Sequence, residues 1–193
     1  KGYIKGNTVV NIDISREGVE VKTVEMAYPG GPNDSDTKNM VEGNNAASVG
    51  LDATIFNVES TNTTGIYAGL NKAGEIRLYD NRKSTDPTQI ANGTTLTVSS
   101  RKVTITKIAC ELTSASQGDM EVKAGDQVVT GNEGVYQIEN GQFSIQNVSR
   151  IIYDAQANTP GKQVVIKKVT ISYTENAEVA ATAIASLDRK SVV

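Results

Sequence analysis

Histidine and tryptophan are absent from this 193-residue chain, cysteine occurs once and phenylalanine twice. Without imidazole there is no Ser-His-Asp or Cys-His relay and no histidine metal site. A single cysteine cannot assemble a thiolate zinc site either. Cys110 lies in "KIACEL", in phase with Ile108 and Leu112, which is the setting of a small buried hydrophobe. No imidazole or basic helix end is there to activate a thiolate. Long apolar runs are missing too; none approaches the roughly 20 residues of a membrane-spanning helix. Charge of one sign is also lacking: 19 basic against 22 acidic residues give a net −3, and the basic ones are scattered. That leaves no electrostatic footprint for nucleic acid. No catalytic residue, metal or cofactor is expected, and the chain reads as a non-enzyme.

What remains is β-forming. Val, Ile and Thr are frequent, Gly and Asn punctuate them, and helix-forming runs are few. Alternating patterns place strands at 8–14, 19–28, 55–58, 66–70, 75–79, 94–99, 103–112, 135–138, 142–145, 150–153 and 164–173. Many short strands separated by turns predict an all-β fold: a two-sheet antiparallel β-sandwich, jelly-roll-like, of a size that sustains a core without disulfides. "YPGGPNDSD" (Tyr28–Asp36) is a loop; its Asp34 and Asp36 offer oxygen ligands, but the residue pattern of a calcium loop is missing. N-x-S/T sequons begin at Asn33, Asn62, Asn92 and Asn147, as chance allows in a chain rich in Asn and Thr. Glu25, Glu59, Asp80 and Glu111 are expected on solvated strand faces or turns.

Two segments share one pattern. In "VTITKIACEL" and "VVIKKVTISY" the alternation Val103, Ile105 slips to Ile108, Cys110, Leu112, and Val164, Ile166 slips to Val169, Ile171, Tyr173. A one-residue slip in a period of two marks a β-bulge, here at Lys107 and Lys168. The expectation is a pair of long, bulged strands bending around the core.

The stretch "IYAGLNKAGEIRLYDNR" (Ile66–Arg82) holds the candidate site. A two-residue turn at Lys72-Ala73 would mix apolar and charged residues on both faces. A type I turn with Gly74 in the left-handed region instead pairs Asn71 with Glu75. It gathers Ile66, Ala68, Leu70, Ile76 and Leu78 on one face. The other face then sets Tyr67 across from Tyr79 and Arg77 across from Gly69. Aromatic rings beside planar polar groups form the kind of surface on which sugars pack. The ligand-binding candidates are therefore Tyr67, Arg77 and Tyr79. The alternative is plain packing, since cross-strand pairs of this type stabilise a sheet by about 0.2–1 kcal/mol.

The ordered motifs "NNAASVGLDATIF" (Asn44–Phe56), "GLNKAGEIRLY" (Gly69–Tyr79), "GTTLTVSS" (Gly93–Ser100), "TITKIAC" (Thr104–Cys110) and "VVIKKVTISY" (Val164–Tyr173) resemble a β-sandwich module of large surface and secreted proteins of gut Bacteroidales. The resemblance spans about Val19 to Tyr173. It implies an extracellular or cell-surface location and an accessory role beside neighbouring domains of the same chain. Together with the tyrosine face, the expectation is a non-catalytic module that binds glycan or serves adhesion. A structural spacer with no ligand of its own is the alternative. On this reading residues 1–18 are the end of a preceding segment or a first strand, 19–174 the module, and 175–187 a linker or the start of a next domain. "DRKSVV" (188–193) reads as a translated sequencing adapter.

Overall fold

The computed structural model describes residues 19–31, 38–61, 67–80, 93–151 and 160–176. The expected strand at 8–14, the Asp34/Asp36 loop, the sequons at Asn33, Asn62 and Asn92, and the tail at 188–193 lie outside the described residues. The strands are β1 (Lys22–Met26), β2 (Lys38–Asn39), β3 (Phe56–Thr61), β4 (Gly69–Asn71), β5 (Glu75–Leu78), β6 (Thr95–Ser100), β7 (Val103–Leu112), β8 (Met120–Ala124), β9 (Gln127–Val128), β10 (Val135–Gly141), β11 (Phe143–Asn147) and β12 (Val164–Glu175). A 3-10 turn, Ala46–Val49, precedes β3.

They form two antiparallel sheets, as the alternating patterns predict. A seven-stranded sheet runs β10-β7-β12-β5-β4-β2, with β1 also paired to β12, and a five-stranded sheet runs β3-β6-β11-β8-β9. Sequence neighbours such as β6 and β7, β10 and β11, or β11 and β12 fall in different sheets, so the chain crosses repeatedly between layers as in a jelly roll. The buried residues of each strand alternate toward one shared core. Ile76, Leu78, Ile105, Ile108, Ile166, Val169 and Ile171 come from the larger sheet, and Val58, Leu96, Val98, Phe143 and Ile145 from the smaller. Each such side chain contributes about 1.5–3 kcal/mol when fully buried. Phe56 and Tyr173 meet edge to face across the two layers, with ring centroids 5.6 Å apart.

Both bulges are present. Along the β7–β12 ladder Ile166 pairs with Leu112 and Lys168 with Glu111, leaving Lys167 extra. Further on, Ser172 pairs with Lys107 and Tyr173 with Ile105, leaving Thr106 extra. The register shift lets Ile105 and Ile108, and likewise Ile166 and Val169, all face the core, while Lys107 and Lys167 stay exposed. Leu112 departs from the expected phase at the end of its strand, 38% exposed where the ladder runs out.

Three strands escape the sequence reading: β2, β8 and β9. The strand expected at 150–153 is not formed at Arg150 and Ile151. Asp80 is also a correction. Expected in solvent, it is 3% exposed and accepts the backbone N–H of Lys162, which ties the end of β5 to the approach of β12.

Candidate functional site

The hairpin of β4 and β5 forms in the register that the side chains require. Asn71 pairs with Glu75, Leu70 with Ile76 and Gly69 with Arg77. Gly74 takes φ +79°, and its N–H closes the turn on the Asn71 carbonyl at 2.9 Å. Ala68, Leu70, Ile76 and Leu78 are buried, so the opposite face, carrying Gly69, Asn71, Glu75, Arg77 and Tyr79, is the outer face of the larger sheet.

On that face the glycine has a definite use. A Cβ on Gly69 would stand 2.2 Å from the Tyr79 hydroxyl and 3.0 Å from Cζ of its ring. Tyr79 therefore reclines diagonally over Gly69, in space that any other residue would fill. Arg77 sits in line between Gly69 on β4 and Val165 on β12. Its guanidinium donates through Nη2 and Nε to one oxygen of Glu75, at 2.8 and 3.2 Å, and Asn71 Nδ2 donates to the same oxygen at 3.1 Å. An amide, a carboxylate and a guanidinium are thus locked into one hydrogen-bonded set. The Arg77 and Glu75 side chains are 29% and 14% exposed.

Tyr67 stands past the last pair of the β4–β5 ladder. Its neighbour Ala68 donates to Ser60 Oγ at 2.8 Å and accepts from the Met40 N–H, while the Tyr79 carbonyl accepts from the Thr94 N–H. The two strand ends thus turn toward the smaller sheet. Half-buried, Tyr67 packs on the core and lines a hollow of about 450 Å³ with Glu42, Glu59, Ser60 and Thr61. Tyr79, Arg77 and Gly69 form one unit of the candidate site, and Tyr67 marks the neighbouring hollow.

Asn71 and Glu75 join the site without having been singled out from sequence. The signal was available: they face each other across the turn, and Glu75 and Arg77, two apart on a strand, must share a face. Among the described residues no group of three or more Cys, Asp and Glu side chains is placed to hold a metal ion. Cys110 is mostly buried, and burial pushes its thiol up from 9.0 to about 12, the state of an unreactive thiol. No helix among the described residues is long and apolar enough to cross a membrane. Comparison with family models, curated proteins and solved structures gave no match to this chain.

Proposed function

We propose that the chain is a non-catalytic accessory module of an exported, cell-surface or secreted multidomain protein, and that it binds glycan through the outer face of the β4–β5 hairpin. One observation carries the reading: the fixed set Asn71–Glu75–Arg77 beside a tyrosine laid over Gly69. Amide, carboxylate and guanidinium are planar groups that donate to and accept from pairs of sugar hydroxyls, and the ring supplies the apolar contact. The surface is shallow and the binding correspondingly weak.

A pure spacer is the less favoured reading. β1 and β12 lie side by side and antiparallel, with Lys22 opposite Tyr173 and its ammonium 2.6 Å from Glu175. The start of the first described strand and the end of the last thus lie side by side, which leaves no length of the body between them for a spacer to span.

The test is electrophoresis through gels cast with neutral polysaccharides: xylan, galactomannan, starch and desialylated mucin glycans. Retardation of the wild type on at least one is expected, with Tyr79→Ala about tenfold weaker, equivalent to about 1.4 kcal/mol. Equal mobility of both proteins on every gel would remove the hairpin face as a binding site.

A further inference from the structure

The outer face of the smaller sheet carries a second polar hollow, at the end where β3 and β6 meet the β6–β7 turn. It measures about 600 Å³. Asn57 pairs with Ser99 across β3 and β6, and Gln142 lies one step beyond the Phe143–Val98 pair of β6 and β11. An amide, a hydroxyl and an amide therefore lie in a row across three strands, on the face opposite Phe56, Val98 and Phe143. Arg101 and Lys102 stand at the end of the row, both exposed.

The turn bearing those two cations is fixed while their charged ends are not. Ser100 Oγ donates to the Ile55 carbonyl at 2.6 Å and accepts the N–H groups of Lys102 and Val103 at 3.1 and 3.2 Å. Asn176 donates through its side chain to the Arg101 carbonyl and through its backbone to the Lys102 carbonyl, each at 3.2 Å. No ion pair or side-chain hydrogen bond of Arg101 or Lys102 is formed among the described residues. On the larger sheet Lys22, Lys167 and Lys168 are each paired with a glutamate. Two acidic groups lie nearby, and both have hydrogen-bond partners of their own; the Asp52 carboxyl is held low by its hydrogen bonds from Thr54 first and by the Lys102 charge to a lesser degree. Asp52 accepts the backbone N–H and the hydroxyl of Thr54 at 2.8 and 2.7 Å, and Glu59 accepts from Asn57 at 2.7 Å.

We propose that this hollow binds an anionic sugar. The acid group of a uronate or a sulfated unit is taken by Arg101 and Lys102, and its ring hydroxyls by Ser99, Asn57 and Gln142. A guanidinium beside an ammonium matches an oxyanion through charge-assisted hydrogen bonds. The fixed turn removes part of the ordering cost of binding. With a net charge of −3 the molecule as a whole repels polyanions, so retention on one must come from a local site. This site lies on the other sheet from the hairpin face and does not depend on it.

The experiment is affinity electrophoresis at neutral pH in gels containing polygalacturonate, dextran sulfate or neutral dextran. The proteins are the wild type, the double variant Arg101→Gln/Lys102→Gln, the charge-matched control Lys38→Gln/Lys72→Gln, and Tyr79→Ala. Retardation of the wild type on an anionic gel but not on dextran is expected. The double variant should bind at least about tenfold more weakly, the control and Tyr79→Ala should match the wild type, and added salt should weaken binding. Retention on polygalacturonate alone assigns the carboxylate, and retention on dextran sulfate alone the sulfate. No retention on either polyanion overturns the proposal. Equal loss in the control pair overturns it as well, because attraction would then be general rather than local.

Discussion

Asn147 shows how much one side chain can hold. It is fully buried on β11, yet its Nδ2 donates to the Leu78 carbonyl of the other sheet at 2.9 Å and to the Lys162 carbonyl at 2.7 Å, while Oδ1 accepts the Ser149 N–H at 3.0 Å. The sequon that begins here is thus closed in the folded protein, its amide nitrogen already engaged twice. Gly93 is drawn tight against the same residue: a Cβ there would stand 1.7 Å from the Asn147 carbonyl oxygen. Replacing Asn147 with Leu leaves the buried Leu78 carbonyl and Ser149 N–H, and the part-buried Lys162 carbonyl, without their partner, at about 1–3 kcal/mol for each buried group left unsatisfied. A clear fall in the urea midpoint with an unchanged slope is expected; an unchanged midpoint would mean that these bonds contribute nothing net. Gly69 and Tyr79 were partly legible before the fold was known, because a glycine opposite an arginine in a hairpin implies room. Asn147 was not. Its partners are 69 and 15 residues away, and nothing local in "IQNVS" announces them.

At the scale of elements, the open edge of β3 is closed by two asparagines. Asn44 Oδ1 accepts the N–H groups of Ala46 and Val58, both at 2.9 Å, and its Nδ2 donates to the Phe56 carbonyl at 3.0 Å. Asn45 donates its backbone N–H to the Val58 carbonyl at 2.7 Å, and its side chain braces Val41 and Gly43. An edge strand left with free donors and acceptors is a template for pairing with another chain. The double variant Asn44→Ala/Asn45→Ala is therefore expected to associate at raised concentration, seen as a rise in mass by light scattering. A monodisperse variant at every concentration would show that the edge is protected by other means. The bulges of β7 and β12 and the register of the β4–β5 hairpin were readable from sequence, because a period of two leaves few ways to bury Ile105 with Ile108, or Leu70 with Ile76. The β8–β9 hairpin carried the same kind of signal and was overlooked: Met120, Val122 and Ala124 alternate before Gly125, which turns with φ +57°. The two-residue β2 offered no period at all, and the pattern at 150–153 did not become a strand at its described residues.

For the whole molecule, the strand order could not be read from sequence. Which strands become neighbours is decided by pairings such as β12 with β7, β5 and β1, and local alternation does not encode partner choice. The ionisable groups yield one global expectation. Cys110 is raised to about 12 by burial, Tyr136 is raised mainly by burial, and Lys22 and Lys168 are raised by the hydrogen bonds they donate to Glu175 and Glu25. Below pH 9 the folded and unfolded chains both keep the thiol proton. Above it the unfolded chain loses the proton first, so stability falls as pH rises. The lysine and tyrosine shifts act in the same sense, with contributions present below the ordinary values and lost above them. Denaturation midpoints should therefore drop between pH 9 and about 12. Cys110→Ala should flatten that slope and leave the slope below pH 9 unaltered. An identical alkaline slope in the variant would contradict the role given to the thiol.

The central claim, that the outer hairpin face is where the module meets glycan, is tested most directly by mapping backbone amide shifts during titration with xylan oligosaccharides and with desialylated mucin glycans. Saturable shifts at Gly69, Asn71, Glu75, Arg77 and Tyr79 with at least one of these probes are the expected result. Silence at those five amides with both probes, whether or not other residues respond, would contradict it.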